Sequence, residues 1–226
     1  MDTATLVKGQ PVRVPKSKIH LIYKVIFGWT RRRRMKRFMD RFHPTNETRI
    51  LDVGGTPLNW KFIDVKPKLI LLNIVLPKQK LLGPYMRYVV GDACDPPAEV
   101  TEWGGEIVFS NSVIEHVGMR DDQKRFADAC MSLSKKVWVQ TPARIFPIEP
   151  HYLTPFIHWL PYAWRKKVVR WTVWGILSKP TPDLIDHRVR FTHLLTYAQM
   201  KSLFPGCEII VERFMFWPKA YIAVRG

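Results

Sequence analysis

The chain has 226 residues, 46% of them hydrophobic, and a formal net charge of +17. That is enough apolar material for one full globular core, which excludes a disordered or low-complexity chain. Cys94, Cys130 and Cys207 are odd in number and widely separated, so neither a disulfide framework nor a structural metal is expected.

Taken in chain order, residues 1–48 hold twelve Lys/Arg against Asp2, Asp40 and Glu47. Met1 to Pro15 lack a continuous apolar core, and no apolar run is long enough to cross a bilayer as a helix, so a cytoplasmic protein is expected. Ile19 to Phe42 reads as one or two amphipathic helices. Ile19, Ile22, Ile26 and Trp29 share one face; Met35, Phe38, Met39 and Phe42 share another. Arg31 to Arg34, Lys36 and Arg37 load the polar side. Three readings of this basic segment, taken as residues 1–47, stay open. It lies on the inner face of an anionic membrane as a peripheral helix, it forms a nucleic-acid patch, or it caps the domain with a solvated basic face.

Arg49 to Trp60 then reads as a buried strand that breaks into a glycine turn and restarts as a helix. Ile50, Leu51 and Val53 are the apolar run of an interior parallel strand. Gly54 and Gly55 allow the sharp turn, with Thr56 as the expected N-cap and Pro57 at the first helical position. The amides of such a helix start would face an anion, and this edge is where open α/β sheets bind nucleotide-like cofactors. Further runs end near Asn73, in Gly91-Asp92-Ala93, at Asn111-Ser112 and at Pro142, with an amphipathic segment from Asp121 to Ser134 before the last of them. The steps from Asp52 to Asn73, Asp92 and Ser112 are 21, 19 and 20 residues, a beat that suits repeated strand–helix units and a parallel sheet. After a helix at Leu195 to Phe204, the strands Cys207 to Trp217 and Ala220 to Val224 are expected to pair antiparallel around Pro218-Lys219.

These residues, and the phrase Ser112-Val-Ile-Glu-His-Val117 after the fourth strand, resemble the class I S-adenosylmethionine-dependent methyltransferases, in particular their small-molecule, type 11-like branch. The resemblance implies a Rossmann-like α/β fold over residues 48–226. Its seven-stranded sheet is mostly parallel, with an antiparallel C-terminal strand and helices on both faces. It implies S-adenosyl-L-methionine as cofactor, with Asp52, Gly54 and Gly55 at its methionine part, Asn73 at the ribose, Asp92 and Ala93 at the adenine, and Asn111 and Ser112 by the reacting centre. Two positions depart from the family pattern. Thr56 and Leu58 replace glycines, and Asn73 replaces an acid, so it accepts with one neutral oxygen where a carboxylate would use two. A dinucleotide-binding dehydrogenase fits less well, because Gly54 to Asn59 is not G-x-G-x-x-G.

Between the fifth strand and the next helix lies an insertion of about residues 143–193, carrying Trp159, Trp164, Trp171 and Trp174 among Arg165, Lys166, Lys167 and Arg170. In such enzymes the insertion covers the active site. A greasy, basic lid points to an acceptor that is apolar, anionic or both, and to the headgroup level of a membrane; a lid whose tryptophans pack on the body is the alternative. Methyl transfer to oxygen needs a base. His151, oriented by Glu149 in Pro147-Ile-Glu-Pro-His151, is the first candidate. His116 is the second, with Glu115 beside it expected at a helix start, and Tyr152, His158 and Arg144 are further pocket candidates. His187 and His193 are expected on the surface or within the lid. The expected function is methyl transfer to a small or lipid-linked acceptor. An RNA methyltransferase and an inactive scaffold that binds a membrane or a partner are the alternatives.

Overall fold

The computed structural model describes residues 28–226, and before them only two short paired strands, Leu6–Val7 and Gln10–Pro11, and the first turns of a helix. That helix, α1 (Ile19–Phe42), is continuous. The side chains of Ile19, Ile22 and Ile26 fall outside the described residues.

Seven strands form one sheet: β1 (Arg49–Val53), β2 (Lys68–Asn73), β3 (Met86–Val90), β4 (Ile107–Asn111), β5 (Lys136–Pro142), β6 (Glu208–Phe214) and β7 (Trp217–Arg225). Their order across the sheet is β6-β7-β5-β4-β1-β2-β3. The first five pair parallel, whereas β7 is antiparallel to both β5 and β6. The apolar runs read from the sequence are these strands. Their two-sided burial, with Ile50, Leu51, Val53 and Leu69 to Leu72 all nearly inaccessible, is the mark of parallel strands covered on both faces.

One face packs on α2 (Ala98–Trp103), α3 (Arg120–Leu133) and α7 (Tyr197–Leu203), through Val100, Phe126, Cys130 and Met200. The other packs on α1, where Met35, Phe38 and Phe42 meet Ile50, Leu71, Phe109 and Trp138. Phe38 stands edge-on to Trp60, Phe109 and Trp138.

The helix expected after the glycine turn is absent. Residues 57–59 form a turn, and Trp60–Phe62 is one turn of 3-10 helix. Thr56 and Pro57 carry good local start signals, but burying Trp60 against Phe38 and Phe109 holds the chain in a tighter path. Pro77 and the Gly83-Pro84 pair likewise punctuate the β2–β3 connection, which is not helical. Over these strands α1 supplies the cover that crossover helices would otherwise give.

The β6–β7 turn is also displaced from expectation. It lies at Met215-Phe216, and Pro218 sits inside β7 opposite Arg213, beside a register shift that spares its missing amide. Residues 143–193, the insertion expected to act as a lid, form a small hairpin (Ile148–Glu149 with Thr154–Pro155), α4 (Tyr162–Val168), α5 (Val173–Ser178) and α6 (Pro182–Phe191). It has its own core of Tyr152, Ile157, Val169, Trp174, Leu184, Ile185 and Val189.

Candidate active site

The carboxyl ends of β1 to β4 gather the residues singled out in the sequence. Gly54 adopts φ +71°, and a Cβ there would lie 2.5 Å from Val113 Cγ2. At Gly55 a Cβ would lie 1.9 Å from Asp52 Cγ. Only glycine lets the turn close this tightly over the Asp52 carboxylate. Asn73 donates from Nδ2 to the Gly55 carbonyl at 2.8 Å, which ties the end of β2 to the turn and leaves Oδ1 as the side chain's acceptor. Asp92 is exposed, and its Oδ1 accepts the Cys94 amide at 2.8 Å, while Ala93 packs against the core. At the end of β4, Ser112 takes φ +59°, and its Oγ donates to Gln140 Oε1 at 3.0 Å.

Asp52 is fully buried and accepts from Trp60 Nε1 at 2.8 Å, while its Oδ1 has no partner among the described residues. Burial raises its carboxyl well above the usual range, against the lowering effect of the Trp60 bond. An orphaned acceptor at a glycine turn fits the donor-rich, cationic methionine end of the cofactor. It also has a thermodynamic consequence. The folded state holds a proton that the unfolded chain releases near pH 4, so stability should fall as pH rises from there through the raised folded value, by at most about 1.4 kcal/mol per pH unit. Asp52→Asn should remove that slope, so the mutant's melting temperature should rise relative to the wild type's from pH 5 to pH 8. A constant gap would refute the assignment.

Beyond β4 and β5 a second group forms. His151 Nδ1 lies 2.6 Å from Glu149 Oε1, and Glu149 Oε2 accepts the Tyr152 amide at 2.7 Å. His151 Nε2 lies 2.9 Å from His116 Nε2, with the rings edge to face. Burial pushes Glu149 upward, but the charge and hydrogen bond of His151 prevail and hold it below its ordinary value. Burial, then the charges of His151 and Arg188, keep His116 well below its own, so it is neutral near pH 7. With Glu149 ionised, the geometry favours a proton on His151 Nδ1, and one further proton bridges the two Nε2 atoms.

Glu115 departs from expectation. It lies in a 3-10 turn, Ile114–His116, ahead of α3, and is fully buried. Its Oε2 accepts Thr141 Oγ1 at 3.0 Å, and burial pushes its carboxyl up to about 7. It is therefore not a charge stabilising a helix start. Glu115, His116 and His151 offer three potential metal-ligand atoms within 4.8 Å of one another. The two imidazole nitrogens already stand at hydrogen-bond distance from each other, while Glu115 Oε1 has no partner among the described residues.

Beside Glu149 opens a cavity of about 440 Å³. Tyr152, His158 and Arg144 line it, together with Arg120 and Arg165, so three guanidiniums face one space. His193 also lines it, whereas the His187 ring packs on Phe191. Of the lid tryptophans, Trp174 is buried under Arg188, while Trp159, Trp164 and Trp171 are 46%, 65% and 79% exposed.

Sequence reasoning placed Arg34 on the polar side of α1, and the structure reverses this. Arg34 is buried, bonding Glu212 through Nε and Nη2 at 3.2 Å each. Its Nη1 donates to Asn111 Oδ1 at 2.6 Å and Gln140 Oε1 at 3.0 Å. The signal was there, because Arg34 precedes Phe38 by four residues and so shares its face.

No family model matches the chain, and no curated protein does. Solved structures do. Magnesium protoporphyrin IX methyltransferase from Synechocystis, solved with S-adenosylhomocysteine, superposes with a TM-score of 0.55 at 11% identity over 95% of this chain and 90% of that one. A SAM-dependent methyltransferase from Archaeoglobus fulgidus gives 0.54 at 12% identity over 92% and 99%. A Rhodobacter sphaeroides protein provisionally described as a Zn-dependent alcohol dehydrogenase gives 0.53 at 11% over 86% and 90%. A dinucleotide-binding sheet is parallel throughout in the order 3-2-1-4-5-6, whereas here β7 inserts antiparallel between β5 and β6. The fold is that of the class I methyltransferases. Among the described residues no helix is long and apolar enough to cross a membrane.

Proposed function

We propose that this chain transfers a methyl group from S-adenosylmethionine to an oxygen of a small or lipid-linked acceptor, working at the inner face of a membrane. The observation that carries the reading is the buried Glu149–His151–His116 chain, set at the carboxyl edge of the sheet beside a cavity walled by the lid. Asp52 and the Gly54-Gly55 turn would hold the methionine part of the cofactor, Asn73 Oδ1 the ribose, and Asp92 with Ala93 the adenine. When bound, the cofactor supplies an electrophilic methyl on a sulfonium. The protein's own tasks are alignment and removal of the acceptor's proton. His116 Nδ1 takes up that proton as the proton between the two Nε2 atoms passes to His151, and the positive charge that forms on His151 is stabilised by ionised Glu149 at 2.6 Å. Arg120, Arg144 and Arg165 suit an acceptor with an anionic group. The exposed Trp164 and Trp171, flanked by Lys166, Lys167 and Arg170, support a membrane setting.

Calorimetric titration with S-adenosylmethionine and S-adenosylhomocysteine tests the cofactor reading. Micromolar binding of both is expected, and Asp92→Ala should weaken it by roughly 10- to 100-fold, the worth of one hydrogen bond to a charged group. No binding by the folded chain would leave the inactive scaffold as the better reading. An unchanged dissociation constant in Asp92→Ala would remove that residue from the site.

A further inference from the structure

The second strand pair of the sheet's edge ends in an unusual turn. The β6–β7 hairpin closes through two residues, Met215 and Phe216, with Phe214 opposite Trp217. Met215 sits at φ +53°, a position that two-residue hairpins ordinarily give to glycine, asparagine or aspartate. A side chain here costs stability, so a turn shaped only by folding would not choose methionine. Yet Phe214, Met215 and Phe216 are 51%, 77% and 70% exposed. The tip presents three large apolar side chains to solvent.

Below this tip lies a basic hollow. A cavity of about 240 Å³ is walled by Arg33 and Arg37 of α1 and by Arg213 and Lys219 of the hairpin, with Trp29 and Phe214 also lining it. Trp29 is 62% exposed and lies under the Arg33 guanidinium, 5.5 Å away. Arg213 holds the turn by donating to the Phe216 carbonyl at 2.9 Å. Glu212 is the only acid among the lining residues, and its carboxylate is taken up by Arg34 at 3.2 Å. The hollow is thus strongly cationic, and its rim is aromatic.

We infer that this hairpin and the adjoining face of α1 dock on an anionic phospholipid bilayer, the Phe214-Met215-Phe216 tip entering the acyl boundary while the hollow receives a phosphate-bearing headgroup. The inference rests on the membrane part of the function proposed above and assigns it a surface distinct from the lid. Charge complementarity selects the partner, since four cations meet lipid phosphates while an apolar tip projects beyond them. A methionine between two phenylalanines suits hydrocarbon, and offers nothing that reads a base edge. The same helix carries Arg34 to Asn111, so the docked face and the carboxyl edge of the sheet share one element.

The test is sedimentation of the full chain with vesicles of phosphatidylcholine alone and of phosphatidylcholine with phosphatidylglycerol. The wild type should bind only the anionic vesicles, more weakly as salt rises. Arg33→Gln with Arg213→Gln should weaken binding by roughly 30-fold, from the typical worth of two juxtamembrane cations. Met215→Gly with Phe216→Ser separates docking from folding. Glycine relieves the left-handed position, so the melting temperature should hold or rise, while vesicle binding should fall at least about tenfold. Calorimetric binding of S-adenosylmethionine should be unchanged in that variant. If the wild type ignores every vesicle, both this inference and the membrane setting fall, and the cofactor reading stands on its own titration. If wild type and hairpin variant bind alike, the docking surface is wrong and the lid tryptophans remain. Hairpin-dependent RNA retention in a gel shift, without vesicle binding, would overturn the lipid in favour of nucleic acid.

Discussion

His151→Ala is expected to lower kcat by about 10²- to 10⁴-fold, the usual worth of a positioned base, while the dissociation constant for S-adenosylmethionine stays the same. The split follows from the geometry. His151 Nδ1 bonds Glu149 and Nε2 bonds His116, and neither bond reaches Gly54, Gly55, Asn73 or Asp92. Its carbonyl accepts Arg188 Nη1 at 3.2 Å, a contact alanine keeps. Truncation does strip Glu149 Oε1 of its partner inside the protein, which costs stability. The measurement therefore needs a companion: Glu149→Gln keeps the shape and removes the charge, and should also slow turnover. Added imidazole should restore part of the His151→Ala rate if the missing group is a base. A chelator should leave the wild type unaffected. Loss of turnover with EDTA, regained with zinc or magnesium, would instead place a cation among Glu115, His116 and His151. Unchanged turnover in His151→Ala would end the base assignment outright.

The largest effect on stability is expected at Arg34. Arg34→Ala leaves the carboxylate of Glu212 buried without its cation, and the oxygens of Asn111 and Gln140 lose a donor. Breaking one side of a buried ion pair typically costs about 3–5 kcal/mol. For a domain of this size that corresponds to a drop in Tm of roughly 6–20 °C. The double variant Arg34→Met, Glu212→Leu should recover most of the loss, because it removes both charges and fills the space with apolar atoms. Thermal unfolding followed by circular dichroism decides it, and a drop of less than about 2 °C in Arg34→Ala would mean the network contributes little. Cofactor titration of the same variant probes function, because Gln140 Oε1 receives both Arg34 and Ser112 Oγ. Freed of Arg34, the end of β4 should hold Asn111 and Ser112 less firmly.

How far the sequence was readable depended on the range of the forces involved. The strands of the sheet were legible because burial on both faces demands unbroken apolar runs, and Ile50 to Val53 or Leu69 to Leu72 can be little else. The Gly54-Gly55 turn was legible because glycine alone tolerates the approach to Asp52 and Val113. Thr56 and Pro57 misled, since local start signals count for tenths of a kcal/mol to about one and the burial of Trp60 outweighs them. Pro218 misled in the other direction: proline signals a turn, but the turn moved to Met215, a residue with no turn preference. The His116–His151 contact joins residues 35 apart, and only the folded lid brings them together. Among the lid tryptophans spacing could not tell Trp174, which is buried, from Trp171, which is not.

The reversal at Arg34 also bears on how the chain is made. Arg34 leaves the ribosome 178 residues before Glu212, which at roughly 5–20 residues per second is an interval of about 9–36 s. Throughout it, the aromatic side of α1 has only part of its sheet to lie on, and its guanidinium has no carboxylate. The clasp can close only when the last hairpin has been synthesised. Nascent chains halted before Glu212 should therefore be open to proteases and chaperones along α1, and emergence of the β6–β7 hairpin is the event that shuts it.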